Sequence, residues 1–416
     1  IMIDKLPFII IEKIASFLSD YDIFKLRILS KSLNLYLEGY KLKNNYNLYQ
    51  FINLTKLSNE IYNKPDKIYK IQYIREYNID TFEIDNYLLN ILKKSKTIKS
   101  INIFITAQSK DILLNLPSRL ESLILKKYAG ATNSKEKCEL KYLPKTLKYL
   151  KLDFNISIDN LPDKLEELEL GYHFNQPINN LPQNLKELTF DFGSRFKKNL
   201  DNLPKNLEYL DLGEGNKFNN NLDNLPPCLK ELKTGSLFNK KLNYLPINLK
   251  VLELGDSFNQ ILNNLPKNLE ILKIYGIDGE YGIYNQPIDN LPDNLKELII
   301  ESSNFDQPIN NLPLNLEILT IYSEYFDQSL NSLPNSLREL RLSGEPLNQP
   351  IDKLPNNLKI LDITSELFNQ TLNNIPKNLE KLFIRSDSLN QIIKTKLPKF
   401  YHIESKHMPY INYQFS

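Results

Sequence analysis

The residue types that most often carry out catalysis or bind metals are sparse in this chain of 416 residues. Its three histidines, His173, His402 and His407, are too dispersed to indicate a catalytic triad or a metal site. The two cysteines, Cys138 and Cys228, are too few for a disulfide framework and lack the paired spacing of metal ligands. Both are interpreted as small buried apolar residues in a reducing compartment. The sequence therefore predicts a protein that is not an enzyme and binds no cofactor or metal.

Composition and charge do not point to nucleic acid or membrane as a partner. The chain is 41% hydrophobic and 25% charged, with a formal net charge of +2, so its overall electrostatics demand neither a polyanion nor an anionic membrane surface. Apolar runs such as residues 8–11 are far shorter than the roughly 18 residues that cross a bilayer, and no secretory signal pattern is evident. We therefore expect an intracellular, cytoplasmic protein that binds neither nucleic acid nor membrane.

The most regular feature of the sequence is a proline that recurs with a period. Leu-Pro, or once Ile-Pro, occurs fourteen times between Leu116 and Pro398, at intervals of 18 to 27 residues. The fuller pattern reads Leu-Pro-x-Asn-Leu-x-x-Leu-x-Leu and is followed by a segment of the type Phe-Asn-Gln-Pro-Ile. Repeats of about 20 to 29 residues with Leu-x-x-Leu-x-Leu are typical of leucine-rich-repeat architecture. We predict a parallel β-solenoid over residues 95–398, opened by a strand at 97–106.

Residues of each repeat take fixed positions when they are counted from its proline. Leucines fall three, six and eight positions later, and an aromatic residue or leucine follows four to six residues further on. Because side chains alternate along a strand, positions six and eight should enter the core, and positions five, seven and nine should line the concave face. A repeat of 21 residues leaves no room for a long helix opposite the strand. The Asn of Phe-Asn-Gln, as at Asn259, is expected to point inward and bond to the backbone of the adjacent turn.

The predicted concave face differs between its two halves. The N-terminal half is acidic, with Glu167, Glu169, Glu187, Asp191 and Asp211. The C-terminal half, residues 270–385, is apolar and aromatic with flanking cations, and its candidate substrate-binding residues are Ile271, Tyr275, Ile299, Ile318, Tyr322, Arg341, Ile360, Phe383 and Arg385. Aromatic residues and arginines are the usual anchors of protein interfaces, so this half is expected to bind a protein partner. The alternative is that Ile and Tyr occur there because they favour strands.

Residues 1–40 are built differently from the repeats. Their apolar positions predict three short helices, which cannot bury a core alone and so require a partner or the end of the solenoid. The segment resembles an F-box through Leu6-Pro7, Ile10-Ile11-x-x-Ile14-x-x-Phe17-Leu18 and Asp22-Ile23-x-x-Leu26-x-x-Leu29-Ser30-Lys31. It departs from that motif at Ile9, where an acidic residue is usual, and at Leu33, near the usual tryptophan. The alternative interpretation is a helical cap on the solenoid.

The repeats themselves resemble FNIP repeats, a leucine-rich-repeat relative known from amoebae and from the large DNA viruses that infect them. Together with the F-box motif, the chain resembles the F-box and FNIP repeat-containing family. This resemblance implies an α+β fold with a three-helix F-box at 1–40, a partly helical connector at 41–94, a leucine-rich-repeat-like parallel β-solenoid of about fourteen FNIP-type repeats at 95–398 and a C-terminal cap at 399–416. If the chain is viral, its compartment would be the host cytoplasm.

The resemblance also implies a function. F-boxes dock on Skp1, so the expected role is the substrate-recognition subunit of an SCF-type ubiquitin ligase, with a Skp1-like adaptor, a cullin complex and an unknown protein substrate as partners. The residues that carry the adaptor contact would be Leu6, Pro7, Ile10, Ile11, Ile14 and Leu18. Two alternatives remain open at this point: a non-catalytic interaction scaffold, and a decoy that occupies Skp1 without delivering a substrate.

Overall fold

A computed structural model describes residues 76–79, 93, 99–105, 113–127, 140–276, 282–390 and 397–405. The predicted F-box, with all six predicted adaptor-binding residues, lies outside the described residues, as does most of the predicted connector. Contacts between Cα atoms divide the chain into two compact units, with the boundary between Glu169 and Leu170. Each unit is described by itself.

The first unit contains a parallel sheet that is paired in chain order. Its strands are β1 (Glu76–Ile79), β2 (Ser100–Ile105), β3 (Ser122–Lys127) and β4 (Tyr149–Leu152), and β5 (Glu167–Leu170) spans the unit boundary. A single 3₁₀ turn, Leu140–Tyr142, precedes β4. Strand β2 confirms that a strand lies within residues 97–106, and its Ile101 and Ile103 are fully buried, but β2 does not open the sheet. The sheet begins earlier than predicted, however, because β1 lies within the segment that was interpreted as a connector.

The second unit continues the same type of repeat. Its strands are β6 (Glu187–Phe190), β7 (Tyr209–Asp211), β8 (Glu231–Lys233), β9 (Val251–Leu254), β10 (Ile271–Ile274), β11 (Glu297–Glu301), β12 (Ile318–Tyr322), β13 (Glu339–Ser343), β14 (Ile360–Thr364), β15 (Lys381–Arg385) and β16 (Phe400–Glu404). Each strand pairs in parallel with the next, and equivalent positions of successive repeats face each other. The predicted parallel β-solenoid is therefore confirmed. Strand β16 extends the sheet into the segment predicted as a C-terminal cap.

The proline of each repeat starts a tight turn that leads into the strand. The N–H of the leucine three positions later donates to the proline carbonyl, as from Leu316 to Pro313 at 3.1 Å. Proline has no N–H to donate, and this placement keeps it outside the strand ladder, where that donor would be needed. Between successive strands from β6 to β16, the described residues form turns, bends and segments without regular secondary structure, and none of them is helical, as the short period predicted.

The core of the second unit is a set of stacked columns. Positions six and eight are buried in strand after strand, as at Leu319 and Ile321. The predicted aromatic column is confirmed, with every member fully buried: Phe174, Phe196, Phe218, Phe238, Phe258, Tyr284, Phe305, Phe326, Leu347, Phe368 and Leu389. Neighbouring rings such as those of Phe305 and Phe326 stack with centroids 6.2 Å apart. Each ring therefore packs against the repeat before it and the repeat after it.

No helix among the described residues has the length and apolar character that crossing a membrane would require.

Candidate binding face

The side chains at positions five, seven and nine after each proline form the solvent-facing side of the sheet, which we call the strand face. In β10, Ile271 and Lys273 are half-buried on this face, whereas Leu272 and Ile274 are buried in the core. The predicted substrate-binding residues all lie on the strand face of the second unit: Ile271, Tyr275, Ile299, Ile318, Tyr322, Arg341, Ile360 and Phe383 are half-buried, and Arg385 is exposed. The alternation that predicted this face is therefore present in the strands.

The strand register interrupts the apolar surface that the sequence predicted. Ile271 lies opposite Glu297, and Glu297 lies opposite Ile318 on its other side. Ile318 in turn lies opposite Glu339, which faces Ile360. Isoleucine and glutamate therefore alternate along position five, at the spacing of about 4.8 Å between neighbouring strands. The apolar side chains form separate anchor points rather than a continuous stripe.

Two of the predicted anchors already have partners on the strand face. The hydroxyl of Tyr275 donates to Glu253 Oε2 at 3.1 Å. Arg341 Nε lies 2.6 Å from Glu339 Oε1. Burial, together with the nearby carboxylate of Glu253, raises the pKa of Tyr275 well above its usual value. Both side chains thus already interact within the strand face, and a partner would have to accommodate or replace these contacts.

A buried carboxylate lies at the centre of this arrangement and was not predicted. Glu253 is only 9% exposed and forms ion pairs with Lys233 at 3.2 Å and with Lys273 at 3.8 Å. A buried charge requires such partners, since an unpaired one would cost several kcal/mol. These residues are position seven of successive repeats, where Asp211, Lys233, Glu253 and Lys273 alternate in sign. Reading position seven down the repeats, rather than along each strand, would have revealed the cluster.

The predicted acidic half of the face is also partly neutralised. In the first unit, Glu169 forms an ion pair with Lys151 and accepts a hydrogen bond from the Tyr149 hydroxyl at 2.7 Å. In the second unit, Asp211 accepts hydrogen bonds from the Tyr209 hydroxyl at 3.2 Å and from the N–H of Gly213 at 2.8 Å. Both hydrogen-bond donors to Asp211 are neutral, and the ammonium of Lys233 on the next strand attracts its carboxylate without forming an ion-pair contact.

The Phe-Asn-Gln segments form a hydrogen-bonded ladder. Asn259 Oδ1 accepts from the N–H of Asn285 and from the side-chain amide of Gln286, each at 3.0 Å. Asn285 Oδ1 in turn accepts from the N–H of Asp306 at 3.2 Å and from Gln307 at 2.9 Å. The predicted bond to the backbone of the adjacent turn is confirmed. The expectation that these side chains point inward is wrong, because they lie at the surface beside the buried aromatic column.

Asp306 and Asp327 occupy the same ladder position, since Asp306 Oδ1 accepts from Gln328 at 2.7 Å. A carboxylate oxygen therefore replaces the amide oxygen without loss of either bond. We expect Asn259→Leu to lower the free energy of unfolding by about 1 to 3 kcal/mol, because two donors lose their acceptor. Asn259→Asp should cost less than half as much. Urea denaturation of both variants measures the difference, and equal costs would contradict the proposed ladder.

A second polar ladder lies four positions after each proline. Glu270 accepts from Lys250 at 2.9 Å and from Lys296 at 2.7 Å, and these two bonds lower its pKa. Asparagines two positions after the proline also bridge neighbouring turns, as from Asn315 Nδ2 to the Asp293 carbonyl at 3.0 Å. An open groove of about 620 Å³ runs along this edge and is lined by Asn294, Lys296, Asn315, Glu317, Ser336, Arg338, Asn357 and Lys359. Many of its polar groups are used in holding turn to turn, which indicates a structural role.

The chemistry of the rare residue types differs in one respect from the prediction. Cys228 is exposed rather than buried, because it takes the turn position that asparagine occupies in most repeats. Cys138 lies outside the described residues. Within the described part of the chain, no group of three or more His, Cys, Asp or Glu side chains is arranged to hold a metal ion.

The pattern of proline turns, asparagine ladder and aromatic column can be compared with known proteins. The chain contains FNIP repeats. The FNIP Repeat family matches residues 138–173, 174–215 and 241–276. FNIP repeats are therefore confirmed at these three places, whereas the other repeats of this type and the F-box stay predictions. No curated protein sequence matches the chain.

Solved structures share the repeat fold of this chain. CroV588, reported as a novel circular LRR protein structure, is 26% identical, with a TM-score of 0.55 and coverage of 81% of this chain and 60% of its own. TLR13, in a complex with ssRNA13, is 17% identical, with a TM-score of 0.51 and coverage of 82% of this chain and 62% of its own. The second likeness shows the fold alone. This chain spans about three fifths of the length of both proteins.

Proposed function

We propose that this chain is the substrate-recognition subunit of an SCF-type ubiquitin ligase. Residues 1–40 would bind a Skp1-like adaptor of a cullin complex, and the strand face would bind the protein substrate. The repeat solenoid itself fits a protein-interaction scaffold, a fold that is typically non-enzymatic. The observation that carries the proposal is the strand face, where side chains vary from repeat to repeat while the buried columns stay constant.

The part of the face that supports substrate binding is the stretch from Ile271 to Arg385. Ile318 and Phe383 are half-buried and present apolar surface that a partner could cover. Burying such surface contributes about 25 cal/mol per Å², before the cost of association is subtracted. Charged neighbours such as Glu297 would limit the choice of partner, because each must find a counter-charge or stay solvated. The alternation of isoleucine and glutamate at position five therefore favours selective binding of one protein over non-specific hydrophobic association.

The test of this proposal is binding of purified Skp1–cullin complex to the full chain and to Ile14→Asp. We expect the substitution to weaken binding at least tenfold, since it places a charge where the F-box resemblance implies a buried apolar contact. The matched control is the triple variant Tyr275→Ala, Tyr322→Ala and Phe383→Ala, which should bind the adaptor like the unaltered chain.

Absence of Skp1 binding by the unaltered chain would overturn the ligase function and leave an interaction scaffold. Equal binding by Ile14→Asp would remove the F-box assignment. Binding of adaptor without any ubiquitylated partner would identify a decoy, the alternative that uses the same N-terminal contact.

A further inference from the structure

The strand face of the second unit contains a cavity of about 250 Å³ beside strands β7 and β8. Its lining residues are Phe190, Phe192, Asp211, Gly213, Glu214, Lys233, Thr234 and Tyr275. Small-molecule sites usually enclose about 300 to 1,000 Å³, so this cavity is smaller than a typical cofactor site. Its size suits a single side chain of a partner.

A glycine lies in the wall of the cavity. Position nine of this repeat is Gly213, whose φ of 78° lies in the left-handed region that favours glycine. A Cβ at that position would lie 2.5 Å from the Asp191 carbonyl oxygen, so no other residue fits there without displacing backbone. Tyr275 and Tyr322 fill the equivalent position in later repeats. The wall at Gly213 is therefore a close backbone contact between successive turns, with no side chain at the position that tyrosine occupies later.

The charges around the cavity are unbalanced. Its one lysine, Lys233, forms an ion pair with Glu253 at 3.2 Å and also attracts Asp211, so a single cation is shared among the carboxylates of Asp211, Glu214 and Glu253 on this side. Asp211 has only neutral hydrogen-bond donors, and neither it nor the exposed Glu214 lies within 4 Å of a cationic nitrogen in the described part of the chain. The pKa of Tyr275 is raised by burial and further by the negative charges of Glu253, Glu214 and Asp211. The cavity is therefore a region of negative potential.

Aromatic surfaces form two of its sides. The Phe192 side chain is 60% exposed. Its ring lies next to the backbone of Gly215, since a Cβ built on Gly215 would be 3.6 Å from the ring. Tyr275 contributes its ring from the strand face. A ring face next to carboxylates attracts a cation through its quadrupole and the charges together. Guanidinium is favoured over ammonium because it is planar, weakly hydrated and able to stack while it donates hydrogen bonds.

We infer that this acidic cavity binds an arginine side chain of a protein partner. The inference does not depend on the proposed ligase function, because it needs neither the N-terminal segment nor the apolar anchors beyond Tyr275. It adds an acidic contact to a face whose other predicted anchors are apolar, aromatic or cationic, and the partner would therefore carry an arginine opposite this cavity.

The probe for the test is a fluorescein-labelled peptide of glycine and serine with one central arginine, and its comparison peptide carries citrulline, the neutral isostere, at that place. Fluorescence anisotropy with the full chain at low salt should give at least fivefold tighter binding of the arginine peptide. The double variant Asp211→Asn and Glu214→Gln should reduce the ratio to below twofold, and Phe192→Ala should lower it as well. Asparagine at 211 keeps the acceptor for Gly213, and thermal melts check that each variant is folded.

The matched control is Asp352→Asn with Glu366→Gln, which removes the same charge from exposed residues outside the cavity. It should keep the preference for arginine. Equal binding of the two peptides by the unaltered chain would overturn the inference. So would an equal loss of preference in the control variant, because the attraction would then come from net charge alone.

Discussion

Replacing Phe305 with alanine will lower the free energy of unfolding by about 3 to 5 kcal/mol. The Phe305 ring is fully buried and stacks on Tyr284 at 6.1 Å and on Phe326 at 6.2 Å between centroids. Its removal leaves a cavity and also breaks two ring contacts, each worth about 0.5 to 1.5 kcal/mol beyond the buried area. Urea denaturation followed by circular dichroism measures the loss.

The matched control for this prediction is Phe305→Leu. Leucine occupies the same column at Leu347 and Leu389, where it is also fully buried, so the site accepts its shape. We expect a cost of about 1.5 kcal/mol or less for the leucine variant. Hydrogen exchange should show faster opening in the two neighbouring repeats of the alanine variant, because each repeat is stabilised by those on either side. Equal costs for alanine and leucine would mean that the column is loosely packed.

Replacing Gly213 with alanine will cost about 3 kcal/mol or more. The left-handed backbone conformation alone costs an L-residue about 1 to 2 kcal/mol. The added Cβ would also lie 2.5 Å from the Asp191 carbonyl oxygen and 2.6 Å from the Phe190 carbonyl oxygen. Since both obstacles are backbone atoms of the preceding turn, the turns can accommodate the methyl group only by separating.

Gly193→Ala is the control that isolates the clash from the conformation. Gly193 has a similar φ of 65°, but the nearest obstacle to its Cβ is the partly exposed Tyr172 ring at 3.2 Å, which can move. This variant should lose only the conformational part, about 1 to 2 kcal/mol. Thermal and urea unfolding of the two variants measure the difference. A loss at Gly193 as large as that at Gly213 would show that backbone approach between turns is not the limiting contact.

The sequence predicted those parts of the fold that depend on one repeat at a time. Leu319 and Ile321 could be placed in the core because alternation along a strand is local, and Phe305 because the aromatic residue follows at an almost constant distance. The parallel pairing followed from the period, since a repeat with a single strand must return the chain to the same end of the sheet before the next strand begins. Residues 1–40 have no such period, and their interpretation rested on motif resemblance.

What was missed depends on relations between repeats. The ion pairs of Glu253 join three successive turns, and nothing within a single strand signals them. The isoleucine surface was overestimated for the same reason, since Ile271 and Ile318 are neighbours in the pattern but are separated by Glu297 in the sheet. Cys228 was assigned to the core from its residue type, although its distance from the proline places it at a turn.

Equivalent positions of neighbouring strands lie opposite each other whatever the length of the repeat that joins them. The distance between strand-face side chains of neighbouring repeats is therefore independent of repeat length. The proline interval before β11 is longer than its neighbours, yet Leu272 still lies opposite Leu298 and Tyr284 still fills the aromatic column. The extra residues therefore lie in the connection between β10 and β11, and they leave the register of the two strands unchanged. A repeat could be lengthened, duplicated or removed without shifting the register of the others, so the strand face can change by whole repeats while each remaining inter-strand contact keeps its geometry.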